Sequence, residues 1–119
     1  MSRHVIKKYH MGIHIGWDKP LQHFYCQIYD LRLEEGSEEW LEGKDMIYSE
    51  LDDRQYQDII YGENQKDRLE VQLSFLCYRI RSYIKCELPE EMIQALFEDA
   101  KEDRVNQPER YWQFKDNLN

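Results

Sequence analysis

The first part of the chain alternates between apolar and polar residues, as β-strands do. Residues 9–17 read YHMGIHIGW, so Tyr9, Met11, Ile13, Ile15 and Trp17 share one face while histidines and glycines occupy the other. Successive side chains of a strand point to opposite faces, so this period of two predicts a half-buried strand. The following DKPLQ is predicted to be a turn, because proline has no amide to donate to a sheet.

Two further stretches carry strand signals. Residues 23–33 place apolar side chains on both faces, which is typical of a strand with neighbours on both sides in its sheet. Residues 40–51 are predicted to form one short strand or a pair of strands, around Trp40 and around residues 46–48. Short consecutive strands favour an antiparallel meander.

From residue 52 onward the apolar residues recur at helical spacing. Residues 52–62 predict a short helix, and residues 65–84 predict a longer one without any proline. A third helix is predicted over residues 88–104, where Pro89 stands in the first turn and two glutamates follow it.

Strands followed by helices predict an α+β domain: a small antiparallel sheet of three to four N-terminal strands packed against two or three C-terminal helices. A chain of 119 residues suits a single domain, with strands at about 9–50, helices at about 52–104 and an aromatic tail at 105–119. The tail contains Tyr111 and Trp112, which are costly to leave in water. We expect it to fold back on the body or, alternatively, to dock a protein partner.

The charge of the chain is concentrated in one segment. The net charge is −8, from 24 acidic and 16 basic residues. Binding to nucleic acid phosphates requires clustered lysine and arginine, so direct nucleic acid binding is not expected. Residues 30–53 hold ten acidic residues and only Arg32 and Lys44 as basic ones, which accounts for the whole imbalance. This segment suits cation binding or a basic protein partner, and its simplest interpretation is a solvated hairpin tip.

The sequence lacks the common catalytic and metal-binding motifs. It has no HExxH, no GxSxG and no glycine-rich phosphate loop, and residues 30–53 lack EF-hand spacing. The three cysteines, Cys26, Cys77 and Cys86, form no CxxC pair. No apolar run matches a signal peptide or a membrane span. We therefore expect a non-enzymatic cytoplasmic protein with reduced thiols and no membrane contact.

One string carries a resemblance to known proteins: IGWDKPLQHFYCQIYD, residues 15–30. Its GWD-x-PL turn followed by an aromatic strand resembles small acidic bacterial proteins, some of them carried on mobile elements. The strings IYSELDD and LPEEM fit the same pattern. The opening is also similar to cyanobacterial calcium-binding proteins of the CcbP type, which are small acidic α+β proteins without an EF-hand.

The resemblance implies calcium binding through surface carboxylates of the acidic segment. The ligands that it suggests are Glu34, Glu35, Glu38, Glu39, Glu42 and Asp45. The leading hypothesis is a small regulatory protein that captures calcium or a basic protein partner with residues 30–53. Candidate partner-binding residues are Trp40, Tyr111 and Trp112. The alternative is a mobile-element inhibitor, of the anti-CRISPR or other anti-defence type, whose acidic face blocks a nucleic-acid-binding host protein.

Overall fold

The computed structural model of the chain describes residues 1–62, 67–104 and 107–114, and it has an α+β fold. A 3₁₀ turn, Glu50–Asp52, leads from the last strand of the N-terminal half into the helices. In chain order the elements are β1 (His4–Lys8), β2 (Met11–Asp18), β3 (His23–Asp30), α1 (Glu38–Leu41), β4 (Met46–Ser49), α2 (Arg54–Ile60), α3 (Arg68–Ile84), α4 (Glu90–Lys101) and β5 (Arg110–Trp112).

The five strands form one sheet in the order β4-β3-β2-β1-β5. Neighbouring strands are antiparallel except β1 and β5, which run parallel. The predicted antiparallel sheet of three to four strands was therefore wrong in two details. The strand β1 was not predicted. The tail strand β5 was not predicted either, and its parallel pairing with β1 makes the sheet mixed. The central position predicted for β3 is confirmed, since β2 and β4 flank it.

The predicted first strand began too early. Tyr9 and His10 form a tight turn between β1 and β2, in which Tyr9 takes the left-handed conformation with a φ of 55°. The alternation of apolar and polar residues continues through this turn. Periodicity alone therefore did not locate the break, although a two-residue turn is the common way to connect two antiparallel strands.

One face of the sheet forms the core with the helices. The side chains of Met11, Ile13, Ile15 and Trp17 lie on this face, as predicted, whereas Tyr9, predicted to join them, stands in the turn and is 80% exposed. The side chains on this face pack with β3 and helix residues, among them Phe24, Cys26, Ile28, Leu73, Leu76, Ile80, Met92 and Leu96. Because strand side chains alternate, the intervening residues of β2 and β3 point to the opposite face of the sheet, away from the helices.

The three predicted helices are confirmed, with somewhat shorter boundaries. α2 begins after Asp53, whose carboxylate accepts a hydrogen bond from the amide of Tyr56 at 3.3 Å. α4 begins directly after Pro89. The predicted start of the long helix, at residue 65, lies outside the described residues. None of the described helices is long and apolar enough to cross a membrane.

Residues around Trp40 form a short helix instead of the predicted strand. The side-chain oxygen of Ser37 accepts a hydrogen bond from the amide of Trp40 at 3.3 Å and so caps α1. Glu38 and Glu39 follow in the first turn, where acidic side chains complement the helix dipole. This local capping decides the conformation of the segment, and the next strand starts only at Met46.

Candidate functional site

The predicted calcium ligands lie in the connection between β3 and β4. Asp45 is partly buried, and the others are exposed: Glu34, Glu35, Glu38, Glu39 and Glu42. Glu42 forms an ion pair with Lys44, with 2.9 Å between Oε2 and Nζ. The other four exposed glutamates have no ion-pair partner within the described part of the chain. The segment therefore presents uncompensated negative charge to solvent.

These carboxylates do not converge on one point. Within residues 1–62, 67–104 and 107–114, no group of three or more histidine, cysteine, aspartate or glutamate side chains is placed to hold a metal ion. Calcium takes six to eight oxygens around one centre. The observed arrangement spreads the glutamates over a loop and over α1, which suits contact with positive charge over an area.

Apolar side chains are exposed in the same connection. Leu31, Leu41 and Met46 all belong to the large hydrophobic residues on the surface, and Leu41 is 71% exposed. Trp40 is partly buried. The acidic segment thus offers apolar contact area together with charge, a combination found at protein interfaces.

The two tail aromatics occupy different environments. Tyr111 is 71% exposed, whereas Trp112 packs against the core. The indole Nε1 of Trp112 donates a hydrogen bond to Nδ1 of His4 at 2.9 Å, and the two rings stack with centroids 5.9 Å apart. The described part of the tail therefore folds back on the body. Of the two tail residues predicted to contact a partner, Tyr111 is the one with a large accessible surface.

A buried polar cluster ties this tail to α4. His4 Nε2 donates to Oδ2 of Asp99 at 2.7 Å, and Arg110 donates to the same oxygen. Arg104 Nη1 donates to the other oxygen at 3.0 Å. Because Nδ1 of His4 accepts from the indole, the imidazole is neutral and carries its proton on Nε2. Burial lowers the pKa of His4, and the charge of Arg110 lowers it further.

Ser2 joins this cluster without forming a catalytic triad. A triad requires the histidine to lie between the serine and the aspartate. Here the Ser2 hydroxyl is hydrogen-bonded to Asp99 and accepts a bond from the amide of Trp17 at 2.9 Å. Ser2, His4 and Asp99 are all fully buried. The arrangement explains how the tail is held and does not present a nucleophile to a substrate.

A groove of about 630 Å³ beside β4 and α3 is lined by polar groups that satisfy one another. Asp53 Oδ2 accepts hydrogen bonds from Tyr48 Oη at 2.7 Å and from Arg79 Nε at 2.8 Å. Burial raises the pKa of Tyr48. These three side chains hold β4 against the two helices, and their hydrogen-bonding groups are already engaged.

A second cavity, of about 330 Å³, involves the sheet face opposite the helices. Strand alternation brings His14 and Asp18 of β2 to the same face as Tyr25 and Tyr29 of β3. Three further ionisable side chains line the cavity: His23 of β3, Glu50 from the 3₁₀ turn and Arg3 from the chain before β1. We call this cavity the sheet-face cleft. Burial raises the pKa of Tyr25 to about 12 and lowers that of His14.

Glu50 differs from the other acidic residues of the segment 30–53 in being almost completely buried. Its side chain is 2% exposed and forms no ion pair within the described part of the chain. Burial raises the pKa of Glu50 to about 7. The hydrogen bond from the amide of Cys26 opposes this shift, while the charges of Asp18 and Asp52 add to it.

The position of Glu50 follows from the sheet, because β3 extends beyond β4. The ladder between them covers only residues 27–29 of β3, so the preceding backbone needs side-chain partners. The amide of Phe24 donates to Gln72 at 3.1 Å, and the Tyr56 hydroxyl donates to the Phe24 carbonyl at 2.6 Å. Glu50 Oε1 accepts from the amide of Cys26 at 3.3 Å. A neutral glutamine could accept this bond equally well.

Sequence reasoning missed the sheet-face cleft. In the sequence, Glu50 is one of the ten acidic residues of the segment 30–53, and no feature of that segment marks it as buried. A partial signal exists in the polar face of β2 and β3, where ionisable or aromatic residues recur at positions 14, 18, 25 and 29. Their pairing with a carboxylate from beyond β4 depends on the tertiary structure.

Compared with known proteins, the chain matches no family model, no curated protein and no solved structure at a significant level. Its function can therefore be proposed only from its own residues and their geometry.

Proposed function

We propose that the protein is a non-enzymatic binding protein whose acidic segment, residues 30–53, engages the basic surface of a protein partner. One observation carries the proposal: Glu34, Glu35, Glu38 and Glu39 are exposed and have no ion-pair partner within the described residues. Complementary charge accelerates association and selects among partners. A basic surface would compensate this charge over the whole connection.

The exposed apolar residues of the segment support a protein as the partner. Leu31, Leu41 and Met46 add contact area that a small ion would not use. Removal of apolar surface from water contributes roughly 25 cal/mol per Å². Charge would then bring the partner to the surface, and apolar contacts would lengthen the life of the complex.

The same carboxylates could serve in two other roles, calcium binding and inhibition of a host protein. Both stay predictions. Calcium binding would require the glutamates to gather around an ion, with Glu42 and Asp45 assisting. An inhibitor from a mobile element would place the acidic face in the nucleic acid channel of a host protein. The latter is one form of the proposed interaction with a basic partner.

The test is an amide NMR titration of the protein with a synthetic amphipathic peptide of lysine and leucine. We expect saturable shifts in residues 31–46. A peptide of equal charge with serine in place of leucine is expected to bind more weakly, because it lacks apolar contacts. Calcium chloride, titrated separately, tests the calcium hypothesis. Saturable shifts in this segment at low calcium concentration would favour an ion over a protein partner.

A matched pair of variants separates the segment from net charge. The first replaces Glu34, Glu35, Glu38 and Glu39 with glutamine. The second makes the same four-charge change at exposed glutamates elsewhere: Glu70, Glu90, Glu98 and Glu109. We expect the first variant to lose roughly tenfold or more in affinity and the second to lose much less, since close charges dominate in salt solution. Equal losses would contradict the proposal.

A further inference from the structure

We propose that the sheet-face cleft is a binding site for a primary ammonium or guanidinium group, with the Glu50 carboxylate as its main anionic contact. The cleft measures about 330 Å³, at the lower end of the range of about 300 to 1,000 Å³ that ligand pockets occupy. This site is separate from the exposed glutamates of the proposed function, so either proposal can fail without the other.

The wall of the cleft contains an uncompensated carboxylate, that of Glu50. Glu50 is 2% exposed, and only Oε1 has a hydrogen-bond partner, the amide of Cys26 at 3.3 Å. The described residues supply neither an ion pair for this carboxylate nor a hydrogen bond for its second oxygen. A buried carboxylate without a counter-ion is costly, and either a proton or a bound cation can remove that cost. The cleft provides room for such a cation.

The second carboxylate of the cleft points to the same chemistry. Asp18 is buried, and its Oδ1 accepts a bond from the amide of Leu21 at 3.2 Å. It too forms no ion pair within the described part of the chain. The charge of Asp18 acts on Glu50, so the two acidic groups repel each other when both are ionised. A cation between them would remove this repulsion.

The remaining lining favours an organic cation over a metal ion. The hydroxyl of Tyr25 donates to the carbonyl of Ser2 at 2.8 Å, and that of Tyr29 donates to Gln27 at 2.9 Å. With the hydroxyls engaged, the aromatic rings are what the tyrosines add to the cleft, and rings attract ammonium and guanidinium groups. The described residues contain no cluster suited to a metal ion.

Arg3 does not neutralise the two acids. Among the side chains that line the cleft Arg3 carries the one permanent positive charge, and it is exposed, as is Met1, which also lines the cleft. The side chain of Arg3 interacts with Tyr25. Because it forms no ion pair with Asp18 or Glu50 within the described residues, the inner part of the cleft keeps its negative charge.

The first experiment titrates the protein with n-butylammonium at pH 8 and follows amide NMR shifts. We expect saturable shifts at Glu50, at Cys26 and at Tyr29, and none with 1-butanol, which has the same chain without the charge. Glu50→Gln keeps an acceptor for the Cys26 amide, so the variant should fold. Its affinity should fall roughly tenfold, since charge-assisted hydrogen bonds are about twice as strong as neutral ones.

A control separates this effect from overall charge. Glu98→Gln changes the net charge by the same amount at an exposed position on α4 and should leave the affinity unchanged. The proposal is overturned if n-butylammonium gives no saturable shifts in the cleft, if 1-butanol matches it, or if Glu98→Gln weakens binding as much as Glu50→Gln.

The pH dependence gives an independent readout. The titratable and charged groups that line the cleft with Glu50 or influence it electrostatically are Arg3 before β1, His14 and Asp18 of β2, His23, Tyr25, Cys26 and Tyr29 of β3, Asp52 of its own turn and Tyr56 of α2. A cation binds the ionised carboxylate, whose pKa is about 7 in the free protein. Apparent affinity should therefore fall roughly tenfold from pH 8 to pH 6 in the wild type and stay constant in Glu50→Gln. A wild-type affinity that does not change over this range would contradict the proposal.

The same chemistry could come from a free amine or from a lysine or arginine side chain of a protein. Nα-acetyl-lysine methylamide and Nα-acetyl-arginine methylamide distinguish these sources. Binding of either blocked amino acid at least as tightly as n-butylammonium or n-butylguanidinium would assign the site to a polypeptide side chain. Binding of the free cations alone would assign it to a small amine.

Discussion

Replacement of Glu50 by glutamine is expected to stabilise the protein at neutral and alkaline pH. Folding transfers this carboxyl group from water into the sheet-face cleft, where none of the described residues forms an ion pair with it. The pKa of Glu50 rises from its ordinary value of 4.5 to about 7. Between these two values the folded protein holds a proton that the unfolded chain has lost. Stability must therefore decrease as the pH rises through this range.

The size of the effect follows from the pKa change. One pKa unit corresponds to about 1.4 kcal/mol, so a rise from 4.5 to about 7 corresponds to about 3 kcal/mol of lost stability above pH 7. Below pH 4.5 the group is protonated in both states, and this contribution disappears. Glutamine is neutral at every pH and keeps the acceptor for the Cys26 amide. The variant should thus gain up to about 3 kcal/mol at pH 8 and almost nothing at pH 4.

The assay is urea unfolding of the wild type and of Glu50→Gln at several pH values from 4 to 8. The other titrating groups, His4 and His14 among them, are common to both proteins and cancel in the difference. Glu98→Gln serves as the control, because Glu98 is exposed and its replacement should give a small difference. A Glu50→Gln difference that does not change with pH, or a destabilised variant at pH 8, would refute the assignment of a buried, uncompensated carboxylate.

Three other substitutions test the structure. Asp99→Ala should destabilise the protein by roughly 3 to 5 kcal/mol in urea unfolding, because it leaves the buried His4 and Ser2 and the partly buried Arg104 and Arg110 without their acceptor. A loss below that of an ordinary surface change would contradict the buried cluster. Trp112→Phe removes the hydrogen bond to His4, so we expect the free energy of unfolding to fall by about 1 kcal/mol and amide exchange in β5 to become faster. Unchanged exchange in β5 would show that the indole does not hold the tail. Gly16→Ala would place a Cβ against the backbone carbonyl of Ser2 and should lower stability by roughly 1 to 3 kcal/mol, whereas a neutral result would contradict this close approach.

If the cation proposal holds, Glu50 is an example of stability given up for binding. A glutamine would satisfy the same backbone amide without the cost of burying charge. Residues that lower stability and still occupy a cavity are common at functional sites. The stability and binding experiments are independent, since the first measures the cost of the carboxylate and the second measures whether a cation relieves it.

The helices and two of the central strands could be predicted from the chain because their signals are local. Apolar spacing located α2, α3 and α4, and alternation placed Ile13, Ile15 and Trp17 on the buried face. The short helix at Trp40 also had a local signal in Ser37 and the glutamates after it. The strand predicted around Trp40 was wrong, because the Ser37 cap and the acidic first turn favour a helix there.

The sequence by itself determined the α+β class, the core faces and the concentration of charge in residues 30–53, since periodicity and composition are properties of neighbouring residues. Only the tertiary structure decided which acidic group is buried and which are solvated. The tail strand β5 pairs with β1 from more than a hundred residues away, and Glu50 reaches the amide of Cys26 where β3 extends beyond β4. Such pairings depend on how the chain closes in space. The environment that sets the pKa of a carboxylate is formed only once the chain has closed in this way.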